Sequence, residues 1–359
     1  MIFEDYMKNQ ILKTLLGIIV LTLCSCSTVK NTTSDVVITN DYDALVGKGH
    51  TLRNLGKYEE AIECYDKAIA ISLNNKPDEA LVYKGVCLMK QEKYEEAFEW
   101  YGEIIDLWPD DRNAWFCKGG MFRKLGRYDE AFECYNKLIA MKPNGYSDGI
   151  FRSAWNAKGH TFTDLGRYEN ALECHESALA LDSNDIPTWN HKGNALIKLG
   201  RYQEAIESFK SAIAIDSDKI FSWCNIGRAL RKLERYEEAI ELYNKVITMS
   251  SNDPYPWFGK GDTLREWGRF EEAIECYDKA IAIRSNYFGA WNHKGNALVG
   301  LGRDEEAIEC YDKAIAIRSK LVSAWNNKGK ALARLGRDEE AAACFSKSKE
   351  LELAAKIID

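Results

Sequence analysis

Histidines, cysteines and paired carboxylates are the side chains of this sequence that could carry chemistry. The histidines stand singly along the chain, without the paired spacing of a metal site, at His50, His160, His175, His191 and His293. None of the eleven cysteines forms a Cys-x-x-Cys pair, so neither a zinc site nor a redox motif is predicted. No P-loop, Gly-x-Gly-x-x-Gly or His-Glu-x-x-His motif is present. We therefore predict a protein that is not an enzyme and binds no cofactor or metal.

Acidic residues recur in pairs just before an alanine, as in Glu271-Glu272-Ala273. Carboxylates favour the N-terminus of a helix, where the helix dipole is positive. These pairs are therefore interpreted as solvated helix starts and not as acid/base dyads. The formal net charge is −7 and the isoelectric point is about 5.5, which argues against nucleic acid as a partner.

Six cysteines share one position in a recurring pattern, namely Cys64, Cys134, Cys174, Cys276, Cys310 and Cys344. Equivalent positions of neighbouring helix pairs lie roughly two interhelical spacings apart, each about 8–10 Å. That separation exceeds the reach of a disulfide. These thiols are predicted to act as small apolar filler.

The pattern is an internal repeat anchored by glycines at 49, 85, 119, 159, 193, 227, 261, 295 and 329. Six of the eight intervals between them are 34 residues long, which gives nine repeats. A tryptophan precedes the anchor glycine by four residues in repeats three to nine, whereas repeats one and two have Leu45 and Leu81. An alanine follows twelve residues after each glycine, and an aromatic residue sixteen after it in eight repeats, with His175 as the exception.

Each repeat predicts two helices joined by a Leu-Gly step, such as Leu301-Gly302, in which the glycine stops the first helix. Glu92 and Glu234 replace that glycine in repeats two and six, at some expected cost in stability. The anchor glycine and the alanine remove bulk, so two helices can approach closely. The tryptophan and the Tyr/Phe residue are predicted to fill the core between repeats.

The Trp-x3-Gly, Ala and aromatic positions at a 34-residue period resemble the tetratricopeptide repeat family over about residues 42–355. The resemblance implies an all-α fold, a right-handed superhelical α-solenoid of nine helix-turn-helix units, with first helices lining a concave groove. The repeats are placed near 42–77, 78–111, 112–151, 152–185, 186–219, 220–253, 254–287, 288–321 and 322–355, within an array that spans 42–359. Members of the family usually hold peptides of partner proteins in that groove.

The resemblance places a polar, basic set of residues in the groove: Asn156, His160, Asn190, Asn194, Arg228, Arg231, Arg265, Asn292, Asn296, Asn326 and Lys330. Asparagine can bond a peptide backbone through both its donor and its acceptor, and arginine can pair with carboxylates. We expect a protein-interaction scaffold for an extended, acidic or polar peptide segment. The alternatives are an assembly factor for a cell-envelope complex that uses its convex surface and, more remotely, a regulatory module of a separate enzyme.

Repeats three and four are separated by eight extra residues, Asn144 to Phe151, which include two glycines. This segment is interpreted as a loop. It acts either as a tolerated surface insertion or as a hinge of the solenoid.

The N-terminal 26 residues differ from the array. A short basic stretch precedes a ten-residue apolar run, Thr14 to Leu23, which is too short to span a membrane and suits the core of a signal peptide. Its end, Leu23-Cys24-Ser25-Cys26, resembles the lipobox of prokaryotic lipoproteins, with Cys26 as the lipidated residue and Cys24 as a weaker choice. Residues 27–41 are predicted to form a polar tether.

An anchored, extracytoplasmic protein follows from these features, with a membrane as partner only through its N-terminus. Cleavage without a lipid and an uncleaved anchor are the alternatives, and translation could begin at Met1 or Met7. Nine thiols outside the lipobox are unusual in an oxidising space, which favours an anaerobic source or, if the segment is not an export signal, the cytoplasm.

Overall fold

The computed structural model describes residues 35–72, 78–141 and 149–358, and every regular element in these ranges is an α-helix. The first helices of the repeats are α1 (Asp35–Asn54), α3 (Asp78–Lys90), α5 (Arg112–Lys124), α7 (Gly149–Asp164), α9 (Ile186–Lys198), α11 (Ile220–Lys232), α13 (Pro254–Glu266), α15 (Phe288–Gly300) and α17 (Val322–Arg334). The second helices are α2 (Tyr58–Ile71), α4 (Tyr94–Leu107), α6 (Tyr128–Ala140), α8 (Tyr168–Leu181), α10 (Tyr202–Ile215), α12 (Tyr236–Met249), α14 (Phe270–Ile283), α16 (Asp304–Ile317) and α18 (Asp338–Ile358). These consecutive helix pairs confirm the predicted α-solenoid.

The chain divides into two compact units, an N-terminal unit of residues 1–161 and a C-terminal unit of residues 162–359. From α9 onward, each first helix packs against the second helix of its own repeat and, from α11, against the second helix of the repeat before it. No single pair could bury its apolar face alone, so within each unit the core is shared between stacked pairs, as in the cluster of buried residues from Leu172 to Tyr243.

The turn inside each repeat is left-handed, as the Leu-Gly step predicts. Gly302 has a φ of 75°, and the N–H of Arg303 donates to the carbonyl of Leu298 (2.9 Å). This bond satisfies a carbonyl that the helix end leaves free. Glu92 and Glu234 adopt the same conformation with φ values of 63° and 59°, so the turn is kept even where the residue opposes it.

The paired carboxylates sit in the first turn of the second helices, as predicted. An arginine just before the helix forms an ion pair with the glutamate three residues later. At α10, Arg201 donates to both carboxylate oxygens of Glu204, at 2.7 and 2.6 Å. The same arrangement recurs at Arg235, Arg269, Arg303 and Arg337. These glutamates are thus engaged in starting helices.

Close approach between the two helices of a repeat depends on the anchor glycine. A Cβ built on Gly295 would lie 2.6 Å from the ring of Tyr311, and one on Gly119 the same distance from Tyr135. Both rings are almost wholly buried. The predicted pairing of anchor glycine and aromatic residue is confirmed at these positions.

The tryptophans pack against the core, as predicted, but are not fully enclosed by it: Trp223, Trp291 and Trp325 adjoin clusters of buried residues. Each tryptophan four residues before an anchor glycine is partly buried. The indole N–H reaches the carbonyl six residues earlier, as from Trp291 to Ser285 (3.1 Å) and from Trp325 to Ser319 (2.9 Å). The indole carries a polar group that needs a partner, so the tryptophan ties the inter-repeat loop to its helix while the tyrosines fill the core.

Two helices begin earlier in the structure than the sequence predicted. Helix α1 begins at Asp35 and so includes the end of the predicted tether of residues 27–41. Helix α7 begins at Gly149, so the last three residues of the predicted loop are helical, and burial of Phe151 (4 % exposed) accounts for the extension. Asn144 lies outside the described residues, and the hinge stays a prediction.

The predicted signal peptide and Cys26 also lie outside the described residues. Among the helices that the structure does describe, none combines the length and apolarity needed to cross a bilayer.

Candidate functional site

The predicted groove residues lie on first helices. Asn156 and His160 are on α7 in the N-terminal unit, and both are partly buried. The other nine belong to the C-terminal unit, on α9, α11, α13, α15 and α17. We call the side that these nine residues mark on the C-terminal unit the first-helix face.

Several amides of this face tie one first helix to the next. Asn190 is buried; its Nδ2 donates to the carbonyl of Ile186 (3.1 Å), and its Oδ1 accepts from Ser222 of the next repeat (2.8 Å). Asn296 accepts from both Tyr311 (2.8 Å) and Asn327 (3.0 Å). These bonds occupy the amide oxygens that the sequence assigned to a peptide backbone.

Asn292 and Asn326 complete the amide set. Asn292 is buried, with 5 % of its surface exposed, and its Oδ1 lies 3.4 Å from the Nδ2 of Asn327. Asn326 is only partly buried. Most asparagines of this face therefore form hydrogen bonds within the array itself.

A buried carboxylate, Asp262, organises the centre of the face. It is 6 % exposed and lies 3.0 Å from Arg231, 2.6 Å from the Nδ1 of His293 and 2.8 Å from the hydroxyl of Tyr277. Burial alone would raise the pKa of this carboxyl, but the hydrogen bond from His293, the charges of His293 and Arg231 and the bond from Tyr277 outweigh it. The pKa of Asp262 is lowered to about 2.

Asp262 changes the electrostatics that the sequence predicted. Arg231 also lies 3.3 Å from Glu266, and Arg265 lies 3.5 Å from the same carboxylate. The positive charge expected of this face is reduced at these two arginines, because Asp262 and Glu266 of α13 lie beside them. The spacing of the sequence places Asp262 at the position of its repeat that Arg228 occupies in the repeat before. It does not reveal which arginine forms an ion pair with Asp262.

Arg228 is the exception. Its Nη2 donates to the Oδ1 of Asn194 (2.6 Å), its buried Nε has no hydrogen-bond partner, and no carboxylate of the described residues lies within ion-pair distance. Burial lowers the pKa of its guanidinium, and the neighbouring charge of Arg231 lowers it further. The buried Nδ2 of Asn225, one helical turn before it, also lacks a partner. Unpaired donors around an uncompensated charge favour an anionic ligand.

Exposed aromatic residues join the face, and the sequence analysis missed them. Phe221 is 59 % exposed and lies seven residues before Arg228, hence on the same side of α11. Tyr255 is 50 % exposed at the equivalent position of α13, where its ring packs against that of Tyr287 (centroids 5.8 Å apart). The seven-residue spacing could have indicated these residues. Lys330 on α17 adds an exposed cation.

The described residues hold no group of three or more His, Cys, Asp or Glu side chains that could bind a metal ion. Burial raises the pKa of Cys276 and Cys310 to about 11, which suits inert filler thiols. A Gly-x-Ser-x-Gly sequence does occur at 145–149, but the described elements on either side are helices, whereas a nucleophile elbow follows a strand.

Models of the tetratricopeptide repeat match residues 42–75, 112–144, 153–185, 184–252 and 322–354, and a model described as a TPR repeat matches 261–302 and 295–336. Together these matches cover well over half of the chain.

Solved structures with a similar fold include a thermophilic TPR protein, TTC0263, of Thermus thermophilus. It is 20 % identical, with a TM-score of 0.46, and the match covers 51 % of this chain and 99 % of that one. MamA 41-end from Desulfovibrio magneticus RS-1 is 21 % identical, with a TM-score of 0.40, over 47 % of this chain and 96 % of that one. The comparison with curated proteins gave no match.

Proposed function

The chain belongs to the tetratricopeptide repeat family, and from this premise we propose that it is a non-enzymatic interaction scaffold. Its first-helix face binds an extended, acidic or polar segment of a partner protein. Arrays of this family generally bind proteins, which supports the coarser part of the proposal. The finer part rests on the side chains of α9, α11 and α17.

Arg228 carries the proposal. A half-buried guanidinium without a carboxylate partner is costly, and a carboxylate of an incoming peptide removes that cost. Asn194 accepts a hydrogen bond from one nitrogen of the Arg228 guanidinium, so this group is already oriented before the ligand binds. The acidic residue of the partner therefore binds at Arg228.

Two further features extend this contact into a face for a longer segment. Phe221 offers an exposed ring on the same side of α11, which suits an apolar residue of the peptide. Lys330 offers a second cation further along the array, on α17. Arg231 joins α11 to α13 through Asp262 and Glu266, and Arg265 lies beside Glu266 of its own helix, so both arginines contribute less to binding.

The test replaces Arg228 with glutamate and measures partner capture. A photo-crosslinking amino acid at the exposed position of Lys330 marks the partner in the native host, and mass spectrometry identifies the product. We expect Arg228→Glu to reduce this product about tenfold, because a bidentate charge pair becomes a repulsion. Lys279→Glu, which makes the same change of charge on an exposed residue of α14, is the matched control. An equal yield from Arg228→Glu and Lys279→Glu would sink the proposal.

The second candidate is an assembly factor that uses the opposite side of the repeats, formed by the second helices. A cleft between α10 and α12, described below, favours it. Crosslinkers at Glu241 on α12 and at Lys330 separate the two candidates, because each reports on one side only.

We also propose that the N-terminal segment anchors the array outside the cytoplasm through a lipid on Cys26. The support is the apolar run Thr14 to Leu23 followed by Leu23-Cys24-Ser25-Cys26. Cys26→Ala should abolish uptake of labelled lipid, whereas Cys24→Ala should leave it unchanged. Lipid uptake by Cys26→Ala would disprove this assignment.

A further inference from the structure

The side formed by the second helices is fastened by a recurring lysine. The residue just before the anchor glycine is lysine in eight of the nine repeats. In several repeats it reaches back to a carboxylate on the second helix of the preceding repeat. The pairs are Lys84–Asp66 (2.8 Å), Lys192–Glu176 (2.8 Å), Lys294–Asp278 (2.6 Å) and Lys328–Asp312 (2.5 Å).

The junction between repeats five and six breaks this pattern at three positions. Ile226 replaces the lysine, and Lys210 stands where the preceding repeat would carry the carboxylate. Leu242 occupies the position where six repeats have the buried cysteine. The ion pair between the repeats is therefore replaced by an aliphatic residue on one side and, on the other, by a lysine that pairs with Glu207 of its own helix. Leu242 adds a second aliphatic side chain at this junction.

A cleft of about 600 Å³ lies between α10 and α12 at this junction. Its floor is apolar and consists of Ile206, Ile213, Trp223, Ile226, Leu230 and Leu242. The α10 lining runs from Gln203 to Ala214, which corresponds to about 16 Å of helix at 1.5 Å per residue. Three turns of a partner helix fit this length.

The rim of the cleft carries three cations, Lys210, Arg235 and Lys245, and two carboxylates, Glu238 and Glu241, so its lining has a net charge of +1. Arg235 and Glu238 neutralise each other at 2.6 Å. Lys210 touches only the exposed Glu207 of its own helix (3.0 Å), and Lys245 lies over the ring of Trp223 (4.5 Å) without a carboxylate within ion-pair distance among the described residues.

The equivalent cleft between α2 and α4 has the opposite character. It measures about 430 Å³ and is lined by six carboxylates, at Glu59, Glu63, Asp66, Glu96, Glu99 and Glu103. Lys84 lies across it, bound to Asp66 and 3.9 Å above the ring of Trp100. The same place in the repeat is thus lined mainly by carboxylates and crossed by a lysine in one unit, and in the other it has an apolar floor and more cations than carboxylates at its rim.

We propose that the cleft between α10 and α12 is a docking site for an amphipathic helix of a partner protein. The helix inserts aliphatic or aromatic side chains onto the apolar floor and presents Asp or Glu to Lys210 and Lys245. Charge complementarity at the rim selects an acidic helix over a basic one. This site is separate from the first-helix face and does not depend on the function proposed for it.

The test uses random dodecapeptides displayed on phage, selected against the full chain. Synthetic versions of the selected peptides are then titrated by fluorescence anisotropy against the wild type and the double variant Lys210→Asp, Ile226→Lys. That variant restores the lysine–carboxylate pair found between α14 and α15, and its thermal unfolding midpoint checks that it folds.

We expect peptides with apolar residues at helical spacing flanked by Asp or Glu, and at least about tenfold weaker binding to the double variant. Arg228→Glu should leave their affinity unchanged.

Three results overturn the proposal. They are the absence of enriched peptides, enriched peptides without acidic flanks, and binding that survives in the double variant. Peptides lost with Arg228→Glu but kept by the double variant are a case of the third result, because they bind the first-helix face.

A transplant provides the converse test. The triple variant Asp278→Lys, Lys294→Ile, Cys310→Leu copies the three departures to the junction between repeats seven and eight. We expect the number of peptides bound per chain to rise from one to two. A stoichiometry that stays at one contradicts the assignment of docking to these three positions.

Discussion

At the level of single residues, the turn decides the backbone conformation and the side chain adapts to it. Gly302 and Glu234 occupy the same place in their repeats and have φ values of 75° and 59°. The left-handed conformation is free for glycine and costs other residues roughly 1–2 kcal/mol. The stacked helices on both sides enforce it at Glu234 nonetheless.

Glu234→Gly should therefore stabilise the chain. Relief of the left-handed strain exceeds the greater entropy that glycine brings to the unfolded chain, so we expect a gain of about 0.5–1 kcal/mol in the free energy of unfolding. Urea denaturation followed by circular dichroism measures it. Gly302→Ala should produce a loss of similar size, and a loss with Glu234→Gly as well would contradict this account.

A second prediction at this scale concerns Asp262. Its pKa is lowered from 3.8 to about 2 in the folded chain, so the ionised carboxylate stabilises the fold above pH 4 and this contribution disappears as the pH falls to 2. A shift of this size corresponds to about 2 kcal/mol. Asp262→Asn should therefore be less stable than the wild type at pH 7.

The measurement compares urea unfolding of Asp262→Asn and the wild type between pH 7 and pH 2. The difference in unfolding free energy should stay constant down to pH 4 and then shrink. Asp312→Asn, an exposed carboxylate paired with Lys328, is the control and should show little difference at any pH. A constant difference for Asp262→Asn down to pH 2 is the contrary result.

At the level of helices, packing distance rather than helix propensity explains the anchor glycines. Gly119 and Gly120 are adjacent in α5, but only Gly119 faces the partner helix. A Cβ on Gly119 would meet the Tyr135 ring at 2.6 Å, whereas one on Gly120 would find its nearest atom, the Tyr135 hydroxyl, at 4.0 Å. Substitutions at these two glycines therefore distinguish the effect of helix propensity from the effect of packing.

Alanine at these two positions should have opposite effects. Gly119→Ala forces the buried tyrosine to move and should destabilise the chain by about 1–3 kcal/mol. Gly120→Ala adds helix propensity without a clash and should stabilise it by up to about 1 kcal/mol. Thermal unfolding of the two variants decides the matter, and the same sign of change for both would refute the packing explanation.

At the level of the whole molecule, stability is a sum over repeats and the contacts between them. A repeat at either end of the described array packs against one other repeat of that array, so we expect the ends to open most easily. Repeat nine has Trp325, whose indole N–H is bonded to Ser319 (2.9 Å). Repeats one and two have Leu45 and Leu81 at that position, which offer no such bond.

We therefore expect backbone amides of α1 to α4 to exchange hydrogen faster than those of α9 to α16. Helices α17 and α18 are the matched comparison, because they also lie at one end of the described array but contain the tryptophan. Hydrogen exchange followed by mass spectrometry on the full chain measures all these segments at once. Uniform protection along the array is the outcome that contradicts the expectation.

The sequence by itself determined the fold class and the repeat, because backbone turns and close packing admit few residue types. Gly295 opposite Tyr311 and Gly302 in its left-handed turn could be assigned from spacing alone. The shape of each helix pair is a local property, and a 34-residue period repeats that property many times.

Only the tertiary structure decided which polar groups are available. Spacing places Arg228, Arg231 and Asp262 on the same side of neighbouring helices. The pairing of Arg231 with Asp262, and of Arg228 with the amide of Asn194 instead of a carboxylate of the described residues, depends on distances across repeats. The cleft beside Ile226 likewise exists because Lys210 and Leu242 meet it from two other helices. Charge and burial are properties of the assembled surface, so a pattern read along one chain predicts positions and not partners.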